Sequence, residues 1–522
     1  MRNPSGKTAL ALGFAASLIF SAAANAERPV SCESLAFQFK AKDVVLSSSG
    51  LVRATSTDPE HCDVVGAIRG NINFELFLPT DWNGRFQMVG NGGKAGTIST
   101  GDMRAALRLG YAAASTDTGH NTANSGPGAQ FGTDPEKEID FGWRAVHLTA
   151  ETSKDIVKAF YGAKPHHSYW VGCSTGGRQG LMEAQRFPRD FDGYVTGAPV
   201  NDYTGQQMTA PAYLTPLYSS IPGTPLVTRA LITQVGNVVY NGNGLSGPSA
   251  FAGCDALDGV VDHQLRDPRA CTFDPQAHIP TCPDTTSSGL CLTAAQKNAL
   301  SAIYAGRPPF VPPQILGAED IPGGWTTWVI GSDSGSPPLL HNVIADAFEW
   351  LMFNPDRPGF NYLTHFDWNT DPFLMGEAAR IFNATDPDLR DVKARGGKII
   401  MYHGWGDPGA NPLRTIAYYE NVIGFMRRHS GPKSTAATNT ANFFKLYMVP
   451  GMAHCGGGTG HAGVDWLTPL VDWVENGVAP QAIVGTRTSD GSTRPHCPYP
   501  QAAIYDGAGD PADAASYRCG TP

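Results

Sequence analysis

The stretch HSYWVGCSTGGRQGLMEAQRFP, residues 167–188, decides how this chain reads. Residues 169–172 read as a short buried strand and residues 177–187 as a helix stopped by Pro188. Between them Gly172-Cys173-Ser174-Thr175-Gly176 matches G-x-S-x-G, in which a serine sits on a sharp strand-to-helix turn with its hydroxyl exposed. A serine hydroxyl is a weak nucleophile. It needs a base within hydrogen-bond reach, itself oriented by a carboxylate. The odd residue is Cys173, an oxidisable thiol beside a candidate nucleophile unless something holds it.

Working outward, residues 85–89 (RFQMV) read as a buried strand running into Gly90-Asn91-Gly92-Gly93, and residues 111–115 (YAAAS) as another ending in TDTGH. Over residues 141–161, Val146, Ala150, Ser153, Val157 and Phe160 recur at helical spacing, with Gly162 where a C-cap belongs. Residues 194–196 read as a strand. From about residue 202 to 385 the chain reads as loop-rich, with four cysteines and little periodicity. Strands resume at 398–402 (KIIMY) and 443–448 (FFKLYM), followed by a helix over 464–474 with Leu467, Leu470, Val471 and Val474 on one face. This alternation predicts an α/β fold with a parallel sheet and places Ser174 at its C-terminal edge, where ligands bind. The simplest organisation is an α/β domain in two parts, 27–202 and 386–522, interrupted by a lid over 203–385.

The two later strands each run into a loop carrying a candidate partner for the serine. KIIMY leads into His403-Gly404-Trp405-Gly406-Asp407-Pro408, and FFKLYM into Val449-Pro450-Gly451-Met452-Ala453-His454-Cys455. Serine, then acid, then histidine, each past a strand end, gives the triad Ser174, Asp407 and His454. Cys173 precedes the nucleophile and Cys455 follows the base, so a disulfide between them would pin the two catalytic loops and remove the free thiol. The alternative is a small core residue. An oxyanion hole needs preorganised donors. The N–H of Thr175 supplies one and the glycine-rich loop at 90–93 the second, unless those glycines merely make a tight turn. His403 and His120 read as hydrogen-bonding loop residues.

The first residues carry Arg2 and Lys7, an apolar run over about 9–20 and Ala-Asn-Ala ending at Ala26, the pattern of a signal peptide over 1–26. Export implies a secreted or periplasmic protein, and the ten cysteines then read as five disulfides; no C-x-x-C pair supports a metal cluster. The net charge of -9 argues against nucleic acid or anionic membrane as partners. With 60 glycines and 40 prolines the chain is rich in loops, yet 41% hydrophobic residues and 10 tryptophans exclude a disordered chain.

In the lid, Cys254-Asp-Ala-Leu-Asp-Gly-Val-Val-Asp-His-Gln264 crowds Asp255, Asp258 and Asp262 together. Like charges this close repel unless a hard cation gathers them, and the spacing is not that of an EF-hand. A solvated acidic turn is the alternative, and Cys254 with Cys271 would staple the loop either way.

The motifs GCSTGGRQG, HGWGDP and GMAHC, with STDTGH and DFGWRAVHLT upstream and CPYPQ near the end, resemble the tannase and feruloyl esterase family. The resemblance runs along nearly the whole mature chain. It implies an α/β-hydrolase fold with a large inserted lid, the Ser174, Asp407 and His454 triad, and a bridge beside it. It favours Gly92 or its neighbour as the second oxyanion donor. It implies a structural Ca2+ in the lid, held by the side chains of Asp255, Asp258 and Asp262 and the backbone oxygens of Val260 and Gln264. It gives the remaining bridges as Cys32 to Cys62, Cys282 to Cys291 and Cys497 to Cys519.

The implied activity is that of a secreted serine carboxylesterase cleaving esters of aromatic acids through an acyl-enzyme on Ser174. Feruloyl esters come first, with galloyl esters or the mono(2-hydroxyethyl) half-ester of terephthalate as alternatives chosen by the lid. A free carboxylate on the substrate would call for a lid arginine facing the pocket, and Arg229, Arg266, Arg269, Arg307, Arg357 and Arg380 are available. Trp325 and Trp328 read as an aromatic wall or as lid core. Two other classes remain: a non-catalytic binder of aromatic esters, and a thiol enzyme using a free Cys173. Asn383-Ala384-Thr385 is a glycosylation acceptor if the host is eukaryotic.

Overall fold

The computed structural model describes residues 30–282, 291–430 and 439–522. The signal-peptide reading lies outside them. Nine strands form one sheet, in the spatial order β1-β2-β3-β5-β4-β6-β7-β8-β9. Strands β1 (Val44–Val52), β2 (His61–Ile68) and β3 (Ile72–Pro79) run antiparallel and join β5 (Ala112–Thr116) edge to edge. From β5 onward the sheet is parallel through β4 (Arg85–Val89), β6 (His167–Cys173), β7 (Gly193–Gly197), β8 (Lys398–Gly404) and β9 (Phe444–Val449). β7 and β9 are buried at every position, as a strand covered on both faces must be, whereas β1 at the edge buries none of its residues.

Alternate side chains feed two apolar layers. Phe86, Trp170, Tyr194 and Leu446 pack under the helices Ala145–Tyr161, Thr175–Arg186 and Pro412–Ser430. Val89, Tyr169, Val195 and Ile400 point the other way, toward Thr100–Arg108 and Leu467–Asn476. A sheet of this order with helices on both faces is the α/β-hydrolase fold.

Among the described residues no strand of this sheet falls between Gly197 and Lys398. That segment is more helical than its sequence indicated: Arg229–Asn241 and Ala294–Ala305 are full helices, the second begun by a Thr293/Gln296 capping box. Most of the other helices there are single turns, too short for an apolar period to develop. Val239, Leu300, Trp325, Phe348 and Phe382 form a separate core that reaches Phe131 and Phe141 of the main domain.

Three helix limits differ from those expected. The helix after the serine starts at Thr175, because Ser174 itself is the N-cap. Residues Asp140–Arg144 form a π-helical turn ahead of Ala145–Tyr161, which ends at a left-handed Gly162. Val464 belongs to a short strand paired with Gly485, so the last helix is Leu467–Asn476. All ten cysteines are paired: Cys32–Cys62, Cys173–Cys455, Cys254–Cys271, Cys282–Cys291 and Cys497–Cys519. Among the described residues no helix is long and apolar enough to cross a membrane.

Candidate active site

Ser174 follows β6 with φ 62° and ψ −123°, a conformation a non-glycine residue adopts only when its surroundings impose it. The flanking glycines are that imposition. A Cβ on Gly172 would lie 2.7 Å from the carbonyl of Gly176, and a Cβ on Gly90 would lie 2.6 Å from the Gly176 Cα. Strand, helix start and glycine-rich loop therefore meet backbone to backbone. Gln179 fixes the loop, its Oε1 accepting the Asn91 N–H at 3.0 Å and its Nε2 donating to Asn91 Oδ1 at 3.1 Å.

The three loops converge because β6, β7, β8 and β9 are successive neighbours and end on the same edge. Ser174 Oγ lies 2.9 Å from His454 Nε2, and His454 Nδ1 lies 2.7 Å from Asp407 Oδ2. Asp407 is fully buried and four groups converge on it. Its Oδ1 accepts the N–H groups of Gly409 at 2.8 Å and Ala410 at 2.9 Å, while His403 Nε2 stands 3.1 Å from Oδ2. Burial pushes this carboxyl up, but His454 and His403 outweigh it by charge and hydrogen bond and hold it below the usual carboxylate range. Asp407 is thus ionised and aimed. The Cys173–Cys455 bridge, with Cα atoms 5.9 Å apart, ties the Ser174 and His454 loops directly. Cys173 has no free thiol, so the thiol-enzyme reading falls.

The N–H groups of Thr175 and Gly92 have no hydrogen-bond partner among the described residues, and both residues line the cavity at Ser174. Thr175 Oγ1 donates to the Gly93 carbonyl, which clamps the loop against the helix start. His120 supports the same loop, its Nε2 lying 2.8 Å from the Lys94 carbonyl.

The cavity has a volume of about 640 Å3. Its lid side is formed by Val200, Tyr203, Trp328, Val343 and Ile344 together with the amides of Gln206 and Gln207. The two tryptophans separate: Trp328 stands edge-on to the His454 ring, centroids 4.9 Å apart, while Trp325 is fully buried in the lid core. Among the described residues no arginine or lysine lines the cavity. Of the lid arginines, Arg357 pairs with Asp371 at 2.8 Å and Arg269 with Asp267 at 2.6 Å.

The acidic lid loop is folded by Asp255, whose carboxylate accepts the N–H groups of Asp262, His263 and Gln264 at 3.0–3.3 Å. Asp262 Oδ2 is 2.9 Å from Arg494, but Asp262 Oδ1 is buried with no partner. Burial pushes the Asp258 carboxyl up to about 6 and raises that of Asp262 against the pull of Arg494. The donor types and the orphaned oxygen fit a hard cation. The three carboxylates do not, however, bring one oxygen each within 4.8 Å of one another. Among the described residues that closeness is reached by His147, Glu183 and Asp190, away from the cavity. There burial and Asp190 raise the Glu183 carboxyl well above its ordinary value.

Two supporting residues gave no sequence signal. Arg178 is completely buried, and its guanidinium donates to the carbonyls of Phe141, Gly142 and Phe382, joining the helix after Ser174 to the base of the lid. Arg414 pairs with Asp202 and donates to the carbonyls of Gly205 and Phe310, tying the lid to the helix beyond Asp407.

Comparison with known proteins agrees with this geometry. The family model described as tannase and feruloyl esterase matches residues 55–520. The chain is 32% identical to mono(2-hydroxyethyl) terephthalate hydrolase of Piscinibacter sakaiensis, over 89% of this chain and 85% of that one. It is 30% identical to a probable feruloyl esterase B-1 of Aspergillus oryzae, over 88% and 82%. The crystal structure of feruloyl esterase B from Aspergillus oryzae superimposes with a TM-score of 0.78 at 26% identity, covering 94% of this chain and 99% of that one. The chain belongs to the tannase and feruloyl esterase family.

Proposed function

We propose that the protein is a serine carboxylesterase that hydrolyses esters of aromatic acids, feruloyl esters first. The observation that carries this is the run from Ser174 Oγ through His454 to buried Asp407, opening on an aromatic slot without a cation. His454 takes the Ser174 proton as Oγ attacks the ester carbon, and the N–H groups of Thr175 and Gly92 hold the oxyanion. The bond to the alcohol oxygen then breaks, His454 returns the proton to that oxygen, and the acyl group stays on Ser174. Water, activated by the same histidine, releases the acid.

A neutral aromatic acyl group suits Trp328 and Tyr203. A terephthalate half-ester carries a carboxylate for which the described residues of this cavity offer no arginine or lysine. Galloyl esters are the second reading, since a galloyl ring is also neutral. The test is initial-rate hydrolysis of methyl ferulate, methyl gallate and mono(2-hydroxyethyl) terephthalate beside a Ser174→Ala control. Preference for methyl ferulate, abolished in the control, supports the assignment. Preference for the half-ester overturns the substrate reading, and no turnover of any of the three would return the protein to the non-catalytic binders.

A Ca2+ in the lid would be held by Asp255, Asp258 and Asp262 with the backbone oxygens of Val260 and Gln264, where it would supply positive charge and fix the loop stapled by Cys254–Cys271. Five disulfides support export to an oxidising compartment.

A further inference from the structure

Away from the cavity at Ser174, three side chains from three elements converge. His147 comes from the helix Ala145–Tyr161, Glu183 from the helix Thr175–Arg186, and Asp190 from the turn that leads into β7. One ligand atom from each lies within 4.8 Å of the other two.

Glu183 is the residue whose surroundings do not account for it. It is 0% exposed, and among the described residues neither of its carboxylate oxygens has a hydrogen-bond partner. A buried carboxylate is costly unless a cation or several donors meet it. Its neighbour Asp190 is a second carboxylate, and burial together with that charge raises the Glu183 carboxyl well above its ordinary value. Lys154 brings a single positive charge and directs its bonds to Asp190, donating to the carbonyl at 2.9 Å and to Oδ1 at 3.3 Å.

His147 is oriented as a ligand. Its Nδ1 lies 2.6 Å from Asp190 Oδ2, its ring lies flat against Phe187 with centroids 3.7 Å apart, and its Nε2 stands 3.4 Å from Glu151 Oε2. A carboxylate at the outer nitrogen favours the tautomer in which Nε2 carries the proton and Nδ1 offers its lone pair inward, the usual support of a metal-bound histidine. The His147 side chain is 20% exposed, which gives an ion a way in.

One imidazole nitrogen and two carboxylate oxygens suit a divalent ion of the zinc kind better than Ca2+ or Mg2+, which take oxygen ligands. We infer that His147, Glu183 and Asp190 form a binding site for such an ion. Bound there, it clamps the helix that Ser174 caps to the helix Ala145–Tyr161 and to the approach to β7. The site does not depend on the ester reading.

The probe is zinc. The full chain is stripped with chelator and kept in excess Ca2+, so that the acidic lid loop is not open to zinc, and Zn2+ is titrated by calorimetry into the wild type, Glu183→Gln and His147→Phe. Glu183→Gln is isosteric, and His147→Phe keeps a ring against Phe187 while removing the nitrogens. The wild type should take up about one Zn2+ per chain and melt higher with it, and affinity should fall about tenfold or more in each variant, since loss of a ligand costs at least as much as loss of its support. Co2+ in place of zinc should give a visible absorption band that both variants lose. Absence of uptake by the wild type overturns the inference, and a proton shared between Glu183 and Asp190 then takes the place of the ion. A smaller fall in either folded variant also overturns it, because zinc is then held by other residues. Should Glu183→Gln not fold, His147→Phe, on its partly exposed position, decides alone.

Discussion

Replacing Asp407 by asparagine tests the charge relation behind the proposed triad. Asp407 Oδ1 already accepts the N–H groups of Gly409 and Ala410 at 2.8 and 2.9 Å, which fixes how an asparagine would sit. Its carbonyl oxygen must keep those two donors, so its NH2 takes the place of Oδ2, 2.7 Å from His454 Nδ1 and 3.1 Å from His403 Nε2. An amide NH2 only donates, so His454 Nδ1 must become an acceptor and its proton moves to Nε2. Nε2–H then faces Ser174 Oγ across 2.9 Å and cannot take the serine proton. The same tautomer exchange in the template serine protease lowers kcat about 10⁴-fold, and a loss of that order, about 5 kcal/mol of transition-state stabilisation, is expected here. Volume and the two backbone bonds are kept, but the NH2 meets His403 Nε2–H, which donates to the Ala410 carbonyl at 2.9 Å, so the variant should melt below the wild type and is assayed where it remains folded. The assay is kcat on methyl ferulate with active sites counted by a fluorophosphonate titrant. A folded variant with kcat within about tenfold of the wild type would refute the tautomer argument and remove Asp407 from the mechanism.

Four further outcomes are expected. Replacing Cys173 and Cys455 together by alanine should lower kcat about tenfold or more in folded protein, because sub-ångström misplacement of Ser174 against His454 is costly; equal turnover would deny the bridge a positioning role. Trp328→Ala should lower kcat/KM for methyl ferulate more than for methyl acetate, since only the aromatic acyl group uses that wall, and an equal loss on both would place the acyl half elsewhere. Chelation should lower the melting temperature, because an ion at 100 times its Kd stabilises the fold by about 2.7 kcal/mol, and Asp258→Asn should abolish the response; calorimetry indifferent to chelator leaves the loop as surface. Glu475 is held at about 2 by its paired bonds from Arg85 at 2.7 and 2.6 Å, with Tyr169 adding to the hold against burial. A depressed carboxylate stabilises the fold above its unfolded value near 4.5 and loses that contribution as pH falls toward 2. Glu475→Gln should therefore flatten the acid limb of stability by about 2 kcal/mol, read by denaturant melts between pH 5 and pH 2 as rough limits, and an unchanged acid limb would show the pair to be neutral.

The legible parts of the sequence were those where chemistry is compressed into a few residues past a strand end. GCSTG, HGWGD and MAHC each follow a run of buried strand residues, and the parallel order β6 to β9 places them on one edge. The antiparallel edge β1 to β3 was not legible. β1 is a serine-rich strand that buries none of its residues, so no apolar alternation marks it. The lid core escaped for a related reason: single-turn helices such as Trp325–Trp328 and Ala347–Trp350 hold buried aromatics without repeating them. Within the site, the role of His403 follows from its spacing to Asp407 once the loop is folded, whereas that of Arg178 depends on carbonyls up to 204 residues away, which no local pattern encodes.

The Cys173–Cys455 bridge also sets an order on how the chain matures. Its partners are separated by 282 residues and by the whole lid, which itself carries four cysteines. When the chain enters an oxidising compartment amino end first, Cys173 arrives long before Cys455, with Cys254, Cys271, Cys282 and Cys291 as nearer partners. The correct pairing becomes available only after β8 and β9 have joined the sheet, a late event for contacts so distant in sequence. Oxidation of the Cys173–Cys455 pair is thereby coupled to completion of the sheet. Ser174 thus meets His454 only as the last third of the chain docks.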